Sequence, residues 1–153
     1  MHASDVVETL PTASPDDDVL SAVRMVVRRR LPALVVADER GEVVGCMSKI
    51  DLLRVALPRY LHEDPNPAQV FDEEHADRIA ATLVGARVGD VVGEAADRIP
   101  VAHARATLIE LAELMVKWSC PLVVVAREHG GTLGVVSADH LLELLVAAAG
   151  EAP

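Results

Sequence analysis

Aromatic side chains are almost absent, with one Trp, one Tyr and one Phe making up 2% of 153 residues. The stacking platforms that hold single-stranded nucleic acid are therefore missing. A cationic excess is missing too: 14 Lys and Arg face 24 Asp and Glu, for a formal net charge of −10. Affinity for a phosphate backbone comes largely from Lys and Arg, so nucleic acid is excluded as a primary partner. The two cysteines, Cys46 and Cys120, have no C-x-x-C spacing and read as buried thiols in a reducing compartment. No apolar run approaches the length of about 18 residues that a membrane span requires. The most apolar segment, Leu141 to Ala149, is short and interrupted by Glu143. With no secretory leader pattern either, the chain is expected to be soluble and cytoplasmic, without direct membrane insertion.

Catalytic signatures are also lacking. There is no G-x-S-x-G, no P-loop and no Cys-His pairing arguable from spacing. The histidines, at 2, 62, 75, 103, 129 and 140, are scattered, and the acidic cluster Glu63, Asp64, Asp72, Glu73, Glu74 and His75 reads as a solvated face rather than a cation site. No enzyme activity, metal or required cofactor is expected.

What is there is a duplication. Leu31–Leu53, LPALVVADERGEVVGCMSKIDLL, recurs 89 residues later as Cys120–Leu142, CPLVVVAREHGGTLGVVSADHLL, with 10 of 23 positions identical. A short apolar run, a Gly-bearing polar turn (Gly41, Gly130) and a second apolar run predict a hairpin, which Ser48 or Ser137 hands to a helix. Two halves of this size would each be marginal alone and are expected to share a core. Hydrophobic residues form 51% of the chain and are mostly Val, Leu, Ala and Ile, which suits sheets packed on helices.

Upstream, Asp5-Val6-Val7 and Asp90-Val91-Val92 are expected to begin the two halves, at an offset of 85 rather than 89, so about four residues are inserted between Gly93 and His103. Ser14-Pro15 followed by acidic residues predicts a helix start, continuing at helical spacing through Arg30. Arg28-Arg29-Arg30 lie at the end of that helix, where cations are favoured. The counterpart helix is expected from about Arg105 to Trp118. Helices follow both hairpins, Lys49 to about Leu57, stopped by Pro58, and Ala138 to about Ala149. The second is apolar nearly all round, and that face is expected to meet another chain. Residues 62–85 read as a connector: a loop at Pro65 and Pro67, then a helix over Ala68 to Leu83.

Each half thus reads strand, helix, strand, strand, helix, with an h-P-x-h-V-V entry to the middle strand and G-x-x-S-x-x-D after the last, from which the second half departs at His140. The ordered set, occurring twice, resembles a tandem pair of CBS domains, the regulatory unit called a Bateman module. The resemblance covers residues 1–61 as repeat 1 and 86–150 as repeat 2. It implies an α/β (α+β) fold of two β-α-β-β-α repeats packed about a pseudo-twofold axis. It also implies ligand clefts between the repeats, often for adenosine compounds such as AMP, ADP, ATP or S-adenosylmethionine, and assembly into a homodimer that signals to an effector protein, an enzyme or transporter.

The chemistry of the motif points the same way. Ser48 opens a helix with Asp51 three residues on; one carboxylate can accept from both hydroxyls of a ribose, and the helix N-terminus favours an anion. Gly45 would let a ligand approach the strand. The same Ser-x-x-Asp spacing matches a capping box, which needs no ligand. In register with Asp51 stands His140, a poorer acceptor, so a cleft built on Ser137 and His140 is expected to be weak, altered or empty. The resemblance further implies that Arg29 and Arg30 can reach phosphate, in a cleft the sequence does not identify, and that Ser119 and Cys120 lend backbone groups to the Asp51 cleft. Two functions remain: a stand-alone regulatory module that binds an adenosine ligand, or a constitutive assembly module with none.

Overall fold

The duplicated stretch folds the same way both times. The computed structural model describes residues 1–57, 77, 81, 83–93 and 98–150. In the first copy, strands β2 (Ala33–Ala37) and β3 (Val43–Ser48) form an antiparallel hairpin, and β1 (Thr12–Ala13) pairs parallel to β2. Helix α1 (Val19–Arg28) connects β1 to β2, and α2 (Lys49–Ala56) follows β3. After a short helix α3 (Val88–Val92), the second copy repeats the plan: β4 (Val101–His103), α4 (Leu108–Trp118), β5 (Leu122–Ala126), β6 (Thr132–Ser137) and α5 (Ala138–Gly150). The sheets run β1-β2-β3 and β4-β5-β6, and each carries a register shift at the same place, Val36/Ala37 and Val125/Ala126.

The two sheets pack face to face through Ala33, Val35 and Cys46 of one repeat and Leu122, Val124 and Val135 of the other. These are three pairs of equivalent positions, each 89 apart, as a pseudo-twofold axis requires. The opposite face of each sheet is covered by helices, so β2 is buried at every position. That double burial is why its sequence is a continuous apolar run rather than an alternating one.

The segments that lead into the repeats are exchanged. A single 3₁₀ turn, Ala3–Asp5, packs Ala3 and Val6 into the core of the second repeat, and the backbone of Ala3 and Ser4 donates to Ala106 and Ala104 at 2.8 and 2.9 Å. Conversely, Val88 and Val92 of α3 sit in the core of the first repeat. Asp5-Val6-Val7 and Asp90-Val91-Val92 are therefore not strand starts, because docking on the other repeat fixes them as helical turns and bends. Pairing of Thr12 with Val35 and of Val101 with Val124 restores the offset of 89, which confines the extra residues to the stretch between Val92 and Val101.

This exchange also shifts the start of α1. The Pro15 and Asp17 carbonyls accept from Gly89 and Val88 at 2.8 and 2.9 Å, so residues 14–17 form a turn that docks α3 instead of a first helical turn. The cap is Asp18, whose carboxylate accepts from the Ser21 amide at 3.1 Å. Helix α4 likewise begins later than Arg105, at a capping box in which Thr107 and Glu110 satisfy each other's backbone. Pro58, the acidic cluster and nearly all of the 62–85 connector lie outside the described residues; within it Leu83 is buried against the first repeat. No described helix is long and apolar enough to cross a membrane.

Candidate ligand cleft between the repeats

Between the repeats, on the β3 side, opens a hollow of about 600 Å³. One wall is the end of β3 and the start of α2, with Cys46, Ser48, Asp51, Arg54 and Val55; the other is the end of α4 and the turn after it, with Trp118, Ser119 and Cys120. Val91, Val92, Arg98 and Ile99 also line it. The volume lies in the range of about 300–1,000 Å³ usual for small-molecule sites.

Asp51 has two distinct oxygens. Oδ2 accepts from the Ser48 amide at 3.0 Å and the Ser48 hydroxyl at 2.9 Å, while the Asp51 amide donates back to Ser48 Oγ at 3.1 Å. The capping box is thus real. Oδ1 takes no part in the box and accepts from Arg54 Nη1 at 3.0 Å. Both partners are partly solvated, the Arg54 side chain at 62% and Asp51 at 36% exposure, so this ion pair is weak and easily exchanged. Among the described residues no cluster of three or more metal-ligating side chains occurs.

The equivalent place in the second repeat is built differently. Ser137 is 1% exposed, and its amide and hydroxyl donate to Glu8 Oε2 at 2.8 and 2.7 Å. Glu8 is held there by its own backbone, whose amide donates to Val135 O at 2.7 Å. The His140 amide donates to Ser137 Oγ at 3.2 Å, but its imidazole Nδ1 faces Glu143 along the helix at 3.6 Å. A carboxylate from the exchanged lead thus takes the position that Asp51 Oδ2 holds in the first repeat.

A family model, the CBS domain, matches residues 3–58 and again 88–147. The chain belongs to the CBS-domain family. Its structure superposes on a CBS domain-containing protein of unknown function from Kribbella flavida with a TM-score of 0.75 and 34% identity, covering 95% of this chain and 99% of that one. The CBS-pair protein CBSX2 from Arabidopsis thaliana superposes with a TM-score of 0.75 at 18% identity over 99% and 98% of the two chains, and a CBSX2 structure is in complex with AMP. The CBS domain pair of protein MJ0100, in complex with 5′-methylthioadenosine and S-adenosyl-L-methionine, superposes at 0.64 with 15% identity over 97% and 98%.

Of the residues singled out from sequence, the CBS pair brings Ser48, Asp51, Ser119 and Cys120 to one hollow. Gly45 is not among the residues lining the hollow; a Cβ there would stand 2.5 Å from Val92 Cγ1, so the glycine makes room for the exchanged lead. Gly134 does the same for Val7, at 3.0 Å. Arg29 and Arg30 are not among the residues lining the Asp51 hollow. Arg30 is the counterpart of Ser119, and both are left-handed, at φ 51 and 47. Since Ser119 stands beside Asp51, the pseudo-twofold axis sets Arg30 on the Ser137 side. Arg54, Arg98 and Trp118 were not anticipated in the cleft, although Arg54 shares a helix face with Asp51 and Trp118 adjoins Ser119.

Proposed function

We propose that this CBS pair is a regulatory module that binds an adenine nucleotide or related adenosine ligand in the Asp51 cleft and reports occupancy to a partner protein. The observation that carries this is Asp51, which lines a hollow of about 600 Å³ walled by both repeats and whose Oδ1 is engaged, among the described residues, by an exchangeable arginine. The two ribose hydroxyls would donate to Oδ1. Arg54, released from Asp51, would turn to a phosphate, with Arg98 as a second cation and the α2 N-terminus at Ser48 supplying backbone donors. The base would lie against Val55, Val92, Ile99 and Trp118. The AMP complex of CBSX2 supports this reading, and the MJ0100 complex with 5′-methylthioadenosine and S-adenosyl-L-methionine extends the ligand class to thioether and sulfonium adenosines. Because the walls belong to different repeats, a ligand that touches both alters how they pack, and that is the signal.

A second reading, a constitutive assembly module, is favoured by the apolar faces of α4 and α5. Ile109, Val116, Leu142, Leu145 and Val146 are exposed there. These faces would also serve the homodimer expected of the regulatory reading. Calorimetric titration with AMP, ADP, ATP and S-adenosylmethionine separates the two. Saturable heat that Asp51→Ala abolishes supports the sensor; no heat with any of the four, on folded and ligand-free protein, leaves the assembly module.

A further inference from the structure

The chain has two cysteines, and the fold puts them together. Cys46 belongs to β3 of the first repeat; Cys120 precedes Pro121 at the entry to β5 of the second. Both belong to the seam between the sheets, both line the Asp51 hollow, and their thiols are near enough to perturb each other. At the equivalent positions, 89 residues away, stand Val135 and Leu31, so the thiol pair marks one side of the pseudo-twofold axis only.

We propose that Cys46 and Cys120 are a reversible redox modification site, an intramolecular disulfide that ties one repeat to the other at the wall of the cleft. The ordering of the two thiols fits stepwise exchange with a small disulfide such as glutathione disulfide. Cys46 is buried, whereas Cys120 is partly open to solvent. The neighbouring Cys46 thiol lowers the Cys120 pKa to about 7, helped by the Leu122 amide and opposed by burial and by the Asp51 carboxylate. The same contact, with burial, pushes Cys46 up. The thiolate is the attacking species, so Cys120 reacts first. Its sulfur bonds to one glutathione sulfur, the glutathione disulfide bond breaks, and a glutathione thiolate leaves, taking up a proton. Cys46 then gives its proton to solvent and attacks the Cys120 sulfur, expelling the second glutathione. The net change oxidises two protein thiols to one disulfide and reduces glutathione disulfide to two glutathiones.

This site stands independently of any nucleotide. The test is exposure of the reduced chain to glutathione disulfide, followed by intact-mass measurement and peptide mapping without reductant. The expected product is a monomer lighter by two hydrogens, containing a linked Cys46–Cys120 peptide pair and no retained glutathione, and reverting with dithiothreitol. Cys46→Ser is expected to stop at a stable glutathione adduct on Cys120, and Cys120→Ser to remain unmodified, since Cys46 alone is shielded. The disulfide is also expected to raise the urea midpoint of unfolding, because it joins distant parts of the chain. A wild-type chain that keeps both thiols free, holds a stable glutathione adduct, or forms only interchain disulfides would overturn the proposal.

Discussion

The Glu8 carboxylate accepts both the backbone N–H and the hydroxyl of Ser137, at 2.8 and 2.7 Å, from 129 residues away in the sequence. In the first repeat the same two donors of Ser48 go to Asp51, three residues on. One requirement, an anionic acceptor for a serine at a helix start, is met locally in one repeat and by the exchanged lead in the other. The difference leaves Asp51 beside an open hollow and Ser137 covered.

Glu8→Ala is therefore expected to destabilise the fold by about 2–3 kcal/mol, since it strands two buried donors that had a charged partner. Asp51→Ala should cost about 1 kcal/mol, the usual value of a lost helix cap with solvent nearby. Urea unfolding of both variants measures the difference; equal, small losses would mean that Glu8 is not holding Ser137.

Gly45→Ala should destabilise by about 1–3 kcal/mol through overpacking, because the added methyl meets Val92 Cγ1 at 2.5 Å. Combining it with Val92→Ala removes the clash, so the double variant should lose less than the sum of the two single losses. Strict additivity would show that the glycine is not there to admit α3.

Helix α1 ends in a Schellman motif. Leu31 N–H donates to Val26 O at 3.0 Å across Arg30, which is left-handed at φ 51. A side chain in that conformation costs about 1–2 kcal/mol relative to glycine. Arg30→Gly should accordingly raise the thermal midpoint, and because Arg30 is not a lining residue of the Asp51 hollow, leave ligand affinity there unchanged.

The hairpins and the helices after them were legible because their signals are local: apolar runs, glycine turns, and a Ser at each helix start. The exchanged leads were not. Val6-Val7 and Val91-Val92 carry the β-branched character of strand starts, and only docking on the opposite repeat decides otherwise. Gly45 shows in the sequence only that room is made, not for what, and the folded chain puts Val92 beside it. Glu8 left no signal, since nothing links it to Ser137 until the chain folds. The Thr107-x-x-Glu110 box was visible in the sequence and would have placed the start of α4 correctly.

Trp118 is the chain's one tryptophan and stands in the wall of the cleft. Its emission should change saturably on addition of AMP, and the change should be absent in Asp51→Ala.

The most direct measurement is calorimetric titration of the ligand-free wild-type chain and Asp51→Ala with AMP and S-adenosylmethionine. The account predicts saturable binding of at least one of them at one site per chain, lost in the variant while its unfolding midpoint falls only by the amount of a cap. Binding that survives Asp51→Ala, or two equal sites per chain, would contradict it.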